Sequence, residues 1–504
     1  MKTSVWILGD QLTFSHPGLS DSPDGIFMVE SPERAAKLPW HRQKLTFVWS
    51  AMRHFAESLR TRGYVVDYRE QATSTRRALR DHLQRYKPDR LILMETAEYG
   101  RASSLAALAR HMDVSVQIVP NTMFLSDETR FQEWAEGRKT LRLESFYRRM
   151  RRDLDLLMED NEKPVGGQWN YDKQNRQRPT DDMGFPSIPR FSPDEITSTV
   201  VSTVVEIPDL FGDLKPFTWP TTHPDAEQFY EDFLNRRLDC FGPYEDAVVE
   251  RSRSLCHSLI SPLLNVGLLD PLDVCKKAEE RYRAGEARLN SVEGFIRQVI
   301  GWREFVYQIY HRLMPEYLDS NFFGADLALP AFYWTGDTAM RCVAEAVHAV
   351  QAYGINHHIQ RLMITGNLAL LLGIDPQAVN RWYLSVYVDA YEWVVTPNVL
   401  GLALFADGGM IATKPYAASA NYINKMSDHC GRCDYNPRQT LGSDACPFNA
   451  LYWDFIARNE SLLREKPRMG LMLSMLERKD SDEVQAIRSR AEEIKTRIQS
   501  GDRV

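Results

Sequence analysis

The sequence predicts an α/β region built on a parallel, Rossmann-like sheet, followed by an all-helical region, in one chain of 504 residues. Three observations predict this arrangement. Short apolar runs alternate with segments of helical period over the first 125 residues, a basic and then Gly- and Pro-rich stretch follows, and apolar residues recur at spacings of three and four from about residue 226 onward. We therefore divide the chain into an α/β domain of residues 1–125, a connector of residues 126–225 and a helical domain of residues 226–504.

The α/β domain is predicted from four apolar runs that we assign to strands, at residues 5–8, 26–29, 64–66 and 91–94. Segments of helical period, such as residues 47–59 and 103–111, lie between them, which is the pattern of a parallel sheet wrapped by helices. Gly9, Asp10 and Gln11 follow the first run, and Glu30 follows the second. Open α/β sheets bind ligands at the carboxyl ends of their strands, although a simple tight turn explains Gly9 equally well.

The connector begins with a segment that we expect to form one basic helix, because its cations are closely spaced: Arg138, Lys139, Arg142, Arg148, Arg149, Arg151 and Arg152. Acidic residues are interleaved with them, so a solvated helix face is a better interpretation than a phosphate-binding surface. The helical domain is predicted from apolar spacing at residues 229–238, 292–313, 340–353 and 358–372. We expect the charged last 25 residues to form a loosely attached helix.

Composition limits the classes of protein that this chain can belong to. The net charge is −7, so any site for nucleic acid must be a local basic patch. The sequence contains no run of eighteen uncharged apolar residues, and its N-terminus does not have the pattern of a signal peptide. We therefore expect a cytoplasmic protein that does not contact a membrane.

Four of the seven cysteines have the spacing of a metal site. Cys430 and Cys433 form a Cys-x-x-Cys pair, Cys446 follows before a proline, and Cys342 is our candidate for the fourth ligand. This spacing fits structural zinc as well as an iron–sulfur cluster, and the Cys-Pro pair favours iron–sulfur slightly because it also closes ferredoxin motifs. The other three are expected to be buried, inert thiols: Cys240, Cys256 and Cys275.

Three polar motifs stand in order along the helical region: HSLISP at residues 257–262, GFIRQVIGWRE at residues 294–304 and HHIQRLMITGN at residues 357–367. With the four cysteines, they make the chain resemble the iron–sulfur bacterial branch of the photolyase/cryptochrome family, whose members are typically 6-4 photolyases. The resemblance implies an N-terminal antenna domain and an all-α FAD-binding domain that carries a 4Fe-4S cluster. A flavin diphosphate requires N–H groups, hydroxyls and a cation, which these motifs supply.

The resemblance also implies the residues of the flavin pocket: Ser258, Leu259, Ile260, Ser261, Gln298, Arg303, Arg361, Asp389 and Val395. Arg361 and Asp389 would lie near the isoalloxazine ring, where a guanidinium can tune a reduced flavin. Val395 takes the place of an asparagine that many photolyases carry opposite the flavin N5, which is a departure from the family pattern. Trp382, Tyr383 and Trp334 resemble the aromatic chain that reduces the flavin from the surface.

His357, His358 and Tyr416 are the catalytic residues that the resemblance implies. A histidine pair in a helix is usually structural, but neighbouring side chains point about 100° apart, so one ring can face a substrate while the other faces the flavin or solvent. Repair of a 6-4 product moves an oxygen substituent between two bases, and a histidine can donate the required proton. Tyr416 would hydrogen-bond the lesion.

The predicted function is light-driven repair of pyrimidine-pyrimidone 6-4 photoproducts, by electron transfer from excited reduced FAD to a lesion flipped out of the duplex. The predicted partner is damaged DNA, bound by a monomer, and the predicted antenna is 6,7-dimethyl-8-ribityllumazine, held near Gly9, Asp10, Gln11 and Glu30. Two alternatives remain open from sequence. One is a blue-light cryptochrome photoreceptor without repair activity, and the other is a non-enzymatic iron–sulfur module that binds nucleic acid.

Overall fold

The computed structural model describes residues 1–20, 22–138, 140–160, 162–180 and 183–504. Lys139, which belongs to the predicted basic helix, lies outside these described residues. Among the described residues, no helix is both long enough and apolar enough to cross a membrane.

The N-terminal region contains a parallel sheet of five strands, which confirms the predicted α/β class. The strands are β1 (Thr3–Trp6), β2 (Gly25–Val29), β3 (Val66–Arg69), β4 (Arg90–Met94) and β5 (Ser115–Val119). They lie in the order β3-β2-β1-β4-β5, and every neighbouring pair is parallel. The strand order reverses between β1 and β4, and the carboxyl ends beside such a reversal are where open α/β sheets bind ligands.

Helices cover the sheet and form part of the connector. Those of eight or more residues in this half are Arg42–Thr61, Thr75–Tyr86, Arg101–Arg110, Glu128–Ala135, Leu143–Leu154 and Glu195–Val205. The predicted basic helix is only partly correct, because the helix begins at Leu143 and leaves Arg138 and Arg142 outside it. Its apolar residues Phe146 and Met150 pack into the core, while Arg148 and Arg149 pair with acidic neighbours on the same helix.

The second half is helical, as predicted. Its helices of eight or more residues are His223–Arg236, Pro271–Arg283, Leu289–Ile296, Glu304–Leu313, Arg341–Tyr353, Pro376–Val386, Pro447–Arg458, Gly470–Glu477 and Ser481–Gln499. Shorter helices are Pro32–Ala35 in the first half and Leu238–Phe241, Ser261–Val266, Phe332–Thr335, Asn367–Leu372, Glu392–Thr396, Ala420–Met426 and Glu460–Arg464 in the second. In the part of the chain that the structure describes, three segments are π-helical: Arg297–Arg303, Gln360–Gly366 and Pro397–Ala403.

The terminal helix Ser481–Gln499 is packed firmly rather than loosely attached. It lies along Pro447–Arg458 and buries Ile487, Ala491 and Ile494. The ammonium of Lys495 reaches the carboxylate of Asp454 at 2.8 Å. The expectation of loose attachment was wrong because apolar residues recur at helical spacing between the charged residues and form one apolar stripe.

The two halves share one continuous hydrophobic core, which runs from β1 into the helices between residues 223 and 309. Polar contacts also join them. The Leu12 N–H donates to the Val266 carbonyl at 2.7 Å, and the His41 N–H donates to the Ser385 carbonyl at 2.8 Å. The sheet is therefore fixed against the helical half, with its carboxyl edge facing the segment around residues 389–391.

Candidate functional site

The π-helical segments coincide with the sequence motifs that predict a cofactor pocket. Arg297–Arg303 lies in the second motif, Gln360–Gly366 lies in the third, and Pro397–Ala403 begins two residues after Val395. The last two segments pack against each other. Insertion of a π turn is often found at functional sites, because it redirects side chains that a regular helix would point elsewhere.

A buried polar cluster joins the first motif, the third motif and Asp389. The Asp389 carboxylate accepts from Ser261 Oγ at 2.6 Å and from Arg361 Nη2 at 3.0 Å. Asn265 donates to the carbonyl of the same aspartate at 2.9 Å. Burial opposes the charged guanidinium, but the Asp389 carboxylate outweighs it and raises the pKa of Arg361. The second carboxylate oxygen of Asp389 is buried without a hydrogen-bond partner, so this cluster retains an acceptor for a ligand.

The other predicted pocket residues have different surroundings. Arg303 pairs with Glu304 at 2.6 Å and lies over the ring of Phe124, and Gln298 donates to Glu245 at 2.8 Å. No hydrogen bond or ion pair among the described residues joins Arg303 or Gln298 to Asp389. The pocket residues without a polar side-chain contact to that cluster are Ser258, Leu259, Ile260 and Val395, of which the last three are buried.

Three histidines meet beside this cluster. The rings of His257 and His357 stack at 4.5 Å with an interplanar angle of 16°, and His358 lies edge-on to His257 at 5.6 Å. His257 and His357 are buried, and burial lowers the pKa of His257 to about 3 and that of His357 well below its ordinary value. Both nitrogens of His357 lack a hydrogen-bond partner.

His358 is the member of this cluster that faces solvent, with 47% of its side chain exposed. Its Nε2 lies 3.5 Å from Oδ1 of Asp246, whose other carboxylate oxygen, Oδ2, accepts from the Tyr422 hydroxyl at 3.4 Å. Tyr416 is exposed at the surface, and the adjoining Thr413 is held by Arg468 at 2.7 Å. His358 is therefore the ring of the cluster that an incoming substrate can reach, and it has a carboxylate partner in Asp246.

A second polar cluster lies at the carboxyl ends of β1 and β4. Asp10 is half-buried there, and desolvation raises the pKa of its carboxyl despite the opposing charges of Arg34 and Lys44. Burial lowers the pKa of Lys44 to about 7, and its ammonium lies over the rings of Trp40 and Tyr391 at 4.1 and 5.0 Å. A planar, polar molecule could stack on these rings and hydrogen-bond to the charged groups.

The other residues predicted for this edge of the sheet have structural contacts. Gln11 donates to the carbonyls of Met94 and Glu95 at 3.1 and 3.2 Å. Glu30 is fully buried and accepts from Arg53 at 2.7 Å, the Tyr68 hydroxyl at 2.8 Å and the Gln71 N–H at 3.1 Å.

Gly9 is packed against the helix Arg42–Thr61. A Cβ at this position would lie 2.8 Å from the sulfur of Met52 and 3.0 Å from a methyl group of Val48, so a larger residue would require these side chains to shift. This contact holds the turn that precedes Asp10 against the helix that carries Lys44.

Aromatic rings form a connected path through the helical core. Trp382 is fully buried and contacts Tyr383 at 5.0 Å, Tyr333 at 5.2 Å and Tyr387 at 5.9 Å. The guanidinium of Arg361 lies 3.9 Å from the Tyr387 ring. Trp334 packs instead on Phe211 at 5.6 Å, and no ring contact among the described residues joins it to Trp382.

The four predicted metal-ligating cysteines line one cavity. Cys342 comes from the helix Arg341–Tyr353, and Cys430, Cys433 and Cys446 surround it. All four are free of disulfide bonds. Burial and the neighbouring thiols raise the pKa of Cys342, and burial raises that of Cys430 to about 11 and that of Cys446 to about 12. Cys342 is buried and the other three are half-buried. Thiols gathered in this way are expected where a bound metal centre holds them as thiolates.

The spacing of the sulfurs distinguishes between kinds of metal centre. Four sulfurs around one zinc ion, each about 2.3 Å from it, would stand about 3.8 Å apart. Among the described residues, the three ligand atoms found within 4.8 Å of one another belong to His257, His357 and His358, so no three of the cysteine sulfurs are that close. As a group, the sulfurs are therefore more widely spaced than the four ligands of one zinc ion.

The prediction of inert thiols was correct for Cys275, which is free and buried, and wrong for the other two cysteines. Cys240 and Cys256 form a disulfide bond, with their Cα atoms 5.7 Å apart. Sequence gave no sign of this pairing, because the helix Leu238–Phe241 must turn back on the loop before Ser261 to bring the two together.

Sequence reasoning missed several residues of these clusters. His257 is the first residue of the HSLISP motif and directly precedes Ser258, but the sequence predicts no catalytic or binding role for it. Asp246, Tyr387 and Lys44 had no local signal, because each reaches its cluster only through tertiary packing.

Known proteins resemble the chain along its whole length. A family model described as deoxyribodipyrimidine photo-lyase-related protein matches residues 5–219. The chain is 47% identical over 500 residues to a (6-4) photolyase of Agrobacterium fabrum (strain C58 / ATCC 33970), which covers 97% of this chain and 98% of that protein.

Two solved structures share the fold. A bacterial class III photolyase from Agrobacterium tumefaciens has a TM-score of 0.59 at 15% identity and covers 99% of this chain and 98% of that one. A cryptochrome from Synechocystis sp. PCC6803 has a TM-score of 0.58 at 12% identity and covers 84% of this chain and 86% of that one. On the full-length sequence identity, the chain belongs to the photolyase/cryptochrome family, among the deoxyribodipyrimidine photo-lyase-related proteins.

Proposed function

We propose that this protein is a DNA photolyase that uses blue light to repair pyrimidine-pyrimidone 6-4 photoproducts. The observation that carries the proposal is the histidine cluster, in which an exposed His358 pairs with Asp246 beside two buried imidazoles. A photoreceptor without repair activity does not require a proton donor at its surface, whereas repair of a 6-4 photoproduct requires one. The 47% identity to a protein named (6-4) photolyase supports the same conclusion.

FAD is the cofactor that the family implies, and the cluster around Asp389 fits it. Arg361 and Ser261 supply donors, and the free oxygen of Asp389 supplies a buried acceptor. The reduced flavin, when bound and excited, supplies the electron that breaks the bond between the two damaged bases. We assign to the same pocket, as further contacts, Ser258, Leu259, Ile260, Gln298, Arg303 and Val395.

Side chains of the protein then bind the flipped lesion and donate the proton. A damaged dinucleotide must leave the duplex before it can reach a buried site, and the exposed edge of His358 is where it would arrive. His358 donates a proton to the transferred oxygen, and Asp246 holds the resulting imidazole in place. His357 contacts the lesion as a neutral ring, and the Tyr416 hydroxyl hydrogen-bonds it from the rim.

We assign a 4Fe-4S cluster to the cavity of Cys342, Cys430, Cys433 and Cys446. Four thiols that are more widely spaced than the ligands of one zinc ion support a cluster over zinc. The cluster would hold the segment of residues 430–446 against the helix Arg341–Tyr353, which is a structural role. The path through Trp382 and Tyr383 would deliver electrons that reduce the flavin, with Trp334 nearer the surface.

The cluster at the carboxyl end of β1 is our proposed antenna site. Asp10 and Lys44 would bind a lumazine through hydrogen bonds, and Trp40 and Tyr391 would stack on its ring. Gly9, Gln11 and Glu30 would support that site through their packing and hydrogen bonds.

We keep the domain boundaries of 1–125, 126–225 and 226–504, and we propose a cytoplasmic monomer that acts on damaged DNA.

The test is an absorption spectrum of anaerobically purified protein, followed by blue-light illumination with an oligonucleotide that carries one 6-4 lesion. We expect flavin bands and light-dependent restoration of the thymines, lost in His358→Ala and kept in His111→Ala, a control on an exposed histidine outside the cluster. Flavin bands without repair would favour the photoreceptor. A protein without flavin bands would exclude both the photolyase and the photoreceptor and favour the iron–sulfur nucleic-acid-binding module.

A further inference from the structure

We propose that His257 is a positioning residue, which fixes the ring of His357 by stacking so that His357 presents one defined edge to the lesion. The inference rests on the proposed repair function. His257 does not need to touch the lesion in order to act, because its effect passes through the neighbouring ring.

Stacking is the contact that orients His357. Both nitrogens of this buried ring lack a hydrogen-bond partner among the described residues. A buried imidazole is usually held by hydrogen bonds to its nitrogens, which set both its rotation and its tautomer. Here the flat contact with His257, at 4.5 Å and 16°, takes that role. The nitrogens of His357 remain free to bind a substrate.

His257 is itself held from several directions. Its N–H donates to the Ser254 carbonyl at 2.7 Å, and its carbonyl accepts from Arg237 Nη1 at 2.8 Å. Phe241 contacts its ring edge-on at 5.7 Å. The segment around it is constrained as well, since Leu255 and Leu259 have φ values of 43° and 60°.

Cys256, the residue before His257, is tied to Cys240 by the disulfide bond. A β-carbon is strained at positive φ, and two such residues within five positions persist only where the surrounding structure enforces them. The segment is therefore a rigid support, and the flat face of His257 is the surface that it presents.

The stack does not have the geometry of a metal site, although three nitrogens lie within 4.8 Å of one another. An imidazole binds a metal along a nitrogen lone pair, which lies in the plane of the ring. Two nearly parallel rings 4.5 Å apart direct their lone pairs side by side, so they cannot both point at one ion without turning. The arrangement fits stacking of two neutral rings.

The charges around the stack support this neutral state. The groups that face the two rings are His358, Arg237, Arg361, His429 and the backbone of Glu245. Most of these are cations or imidazoles, so a proton on either stacked ring is disfavoured. His358, the third ring of the cluster, lies outside the stack and beside the Asp246 carboxylate.

The test compares His257→Phe with His257→Leu in the full-length, flavin-loaded protein. Both substitutions remove the nitrogens and fill the space with an apolar side chain, but only phenylalanine offers a flat face. We measure flavin content, lesion affinity and single-turnover repair yield with the same 6-4 oligonucleotide. A misplaced catalytic group costs up to about 100-fold in rate, so we expect the leucine variant to lose about 10- to 100-fold in repair.

We expect the phenylalanine variant to stay within about threefold of the wild type, because the orientation of His357 is kept. Flavin content and lesion affinity should be unchanged in both variants. Equal repair by the two variants, whether high or low, would overturn the inference, as would a loss of flavin that matches the loss of repair. Absence of repair by the wild type would instead reject the proposed function, so the two failures are distinguishable.

Discussion

Acidification is expected to weaken the contact between the sheet and the helical half through His41. This ring is fully buried, and its Nδ1 accepts from the Gln43 N–H at 3.0 Å, which caps the helix Arg42–Thr61. Its Nε2 donates to the Val350 carbonyl at 2.9 Å. A second proton would remove the lone pair that makes the cap. Burial disfavours the charged form of the ring, and it lowers the pKa of His41 to about 4.

The size of the effect follows from this pKa. An unfolded histidine titrates near 6.5, so below that pH the unfolded chain binds a proton that the folded chain refuses. Stability due to His41 is complete above about pH 6.5 and falls as the pH drops, until the folded ring also protonates near pH 4. At pH 5 the difference of 1.5 units corresponds to about 2 kcal/mol.

The assay is urea unfolding, followed by tryptophan fluorescence, at pH 7.5 and pH 5.0. The matched variant is His41→Asn, because asparagine keeps a capping oxygen but does not titrate. Other groups also titrate over this range, including buried carboxylates whose raised pKa values act in the opposite direction, such as that of Glu245. They contribute equally to both proteins and cancel in the comparison.

We expect the wild type to lose about 2 kcal/mol more than His41→Asn between these two pH values. His16 offers an independent repeat, since its Nδ1 caps Gly18 N–H at 3.0 Å and burial lowers its pKa to about 4. The reasoning would be refuted if the wild type and His41→Asn lost the same stability on acidification.

Three further predictions concern the two proposed cofactor sites and the disulfide. Asp389→Asn removes the charge that Arg361 and Ser261 bind, so FAD affinity should fall by about 10-fold or more in a fluorescence titration of the apoprotein. Cys342→Ser should reduce iron per chain and the visible iron–sulfur absorption, whereas Cys275→Ser, at a buried free thiol, should leave both unchanged. Cys240→Ala should lower the free energy of unfolding by about 3 kcal/mol under oxidising conditions, because the bond closes a loop with a sequence separation of 16. Adding a reductant should lower the free energy of unfolding of the wild type by the same amount.

The strands of the sheet show how far sequence reasoning reached. The runs that predict β1, β2 and β4 were recognised because these strands are buried almost throughout and read as continuous apolar runs. The predicted run of residues 64–66 overlaps β3 only at Val66, because β3 is an edge strand of mixed polarity. The fifth strand, β5, was missed because it lies at the edge of the sheet, where Ser115 and Gln117 face solvent and interrupt the run. An exposed edge strand has no apolar signature, so only the pairing with β4 reveals it.

The helices show a second limit. The segments of residues 292–313 and 358–372 were read as continuous helices from their apolar spacing, and both contain π-helical turns at the motif residues. A π turn shifts the spacing by one residue, which an average over three or four turns does not detect. The two π turns pack against different neighbours, since Arg297–Arg303 contacts the helix Leu143–Leu154 and Gln360–Gly366 contacts Pro397–Ala403.

The sequence by itself determined the order of the two regions and the parallel sheet, and it supplied the residues that we propose for the cofactor and metal sites, because these depend on local periodicity and on motifs of short range. Only the tertiary structure decided which distant residues meet. Cys342 lies 88 positions before Cys430, and His257 lies 100 positions before His357, yet each pair meets in one cluster. Such contacts are set by the packing of whole helices, and no short segment of sequence encodes the angle at which two helices cross.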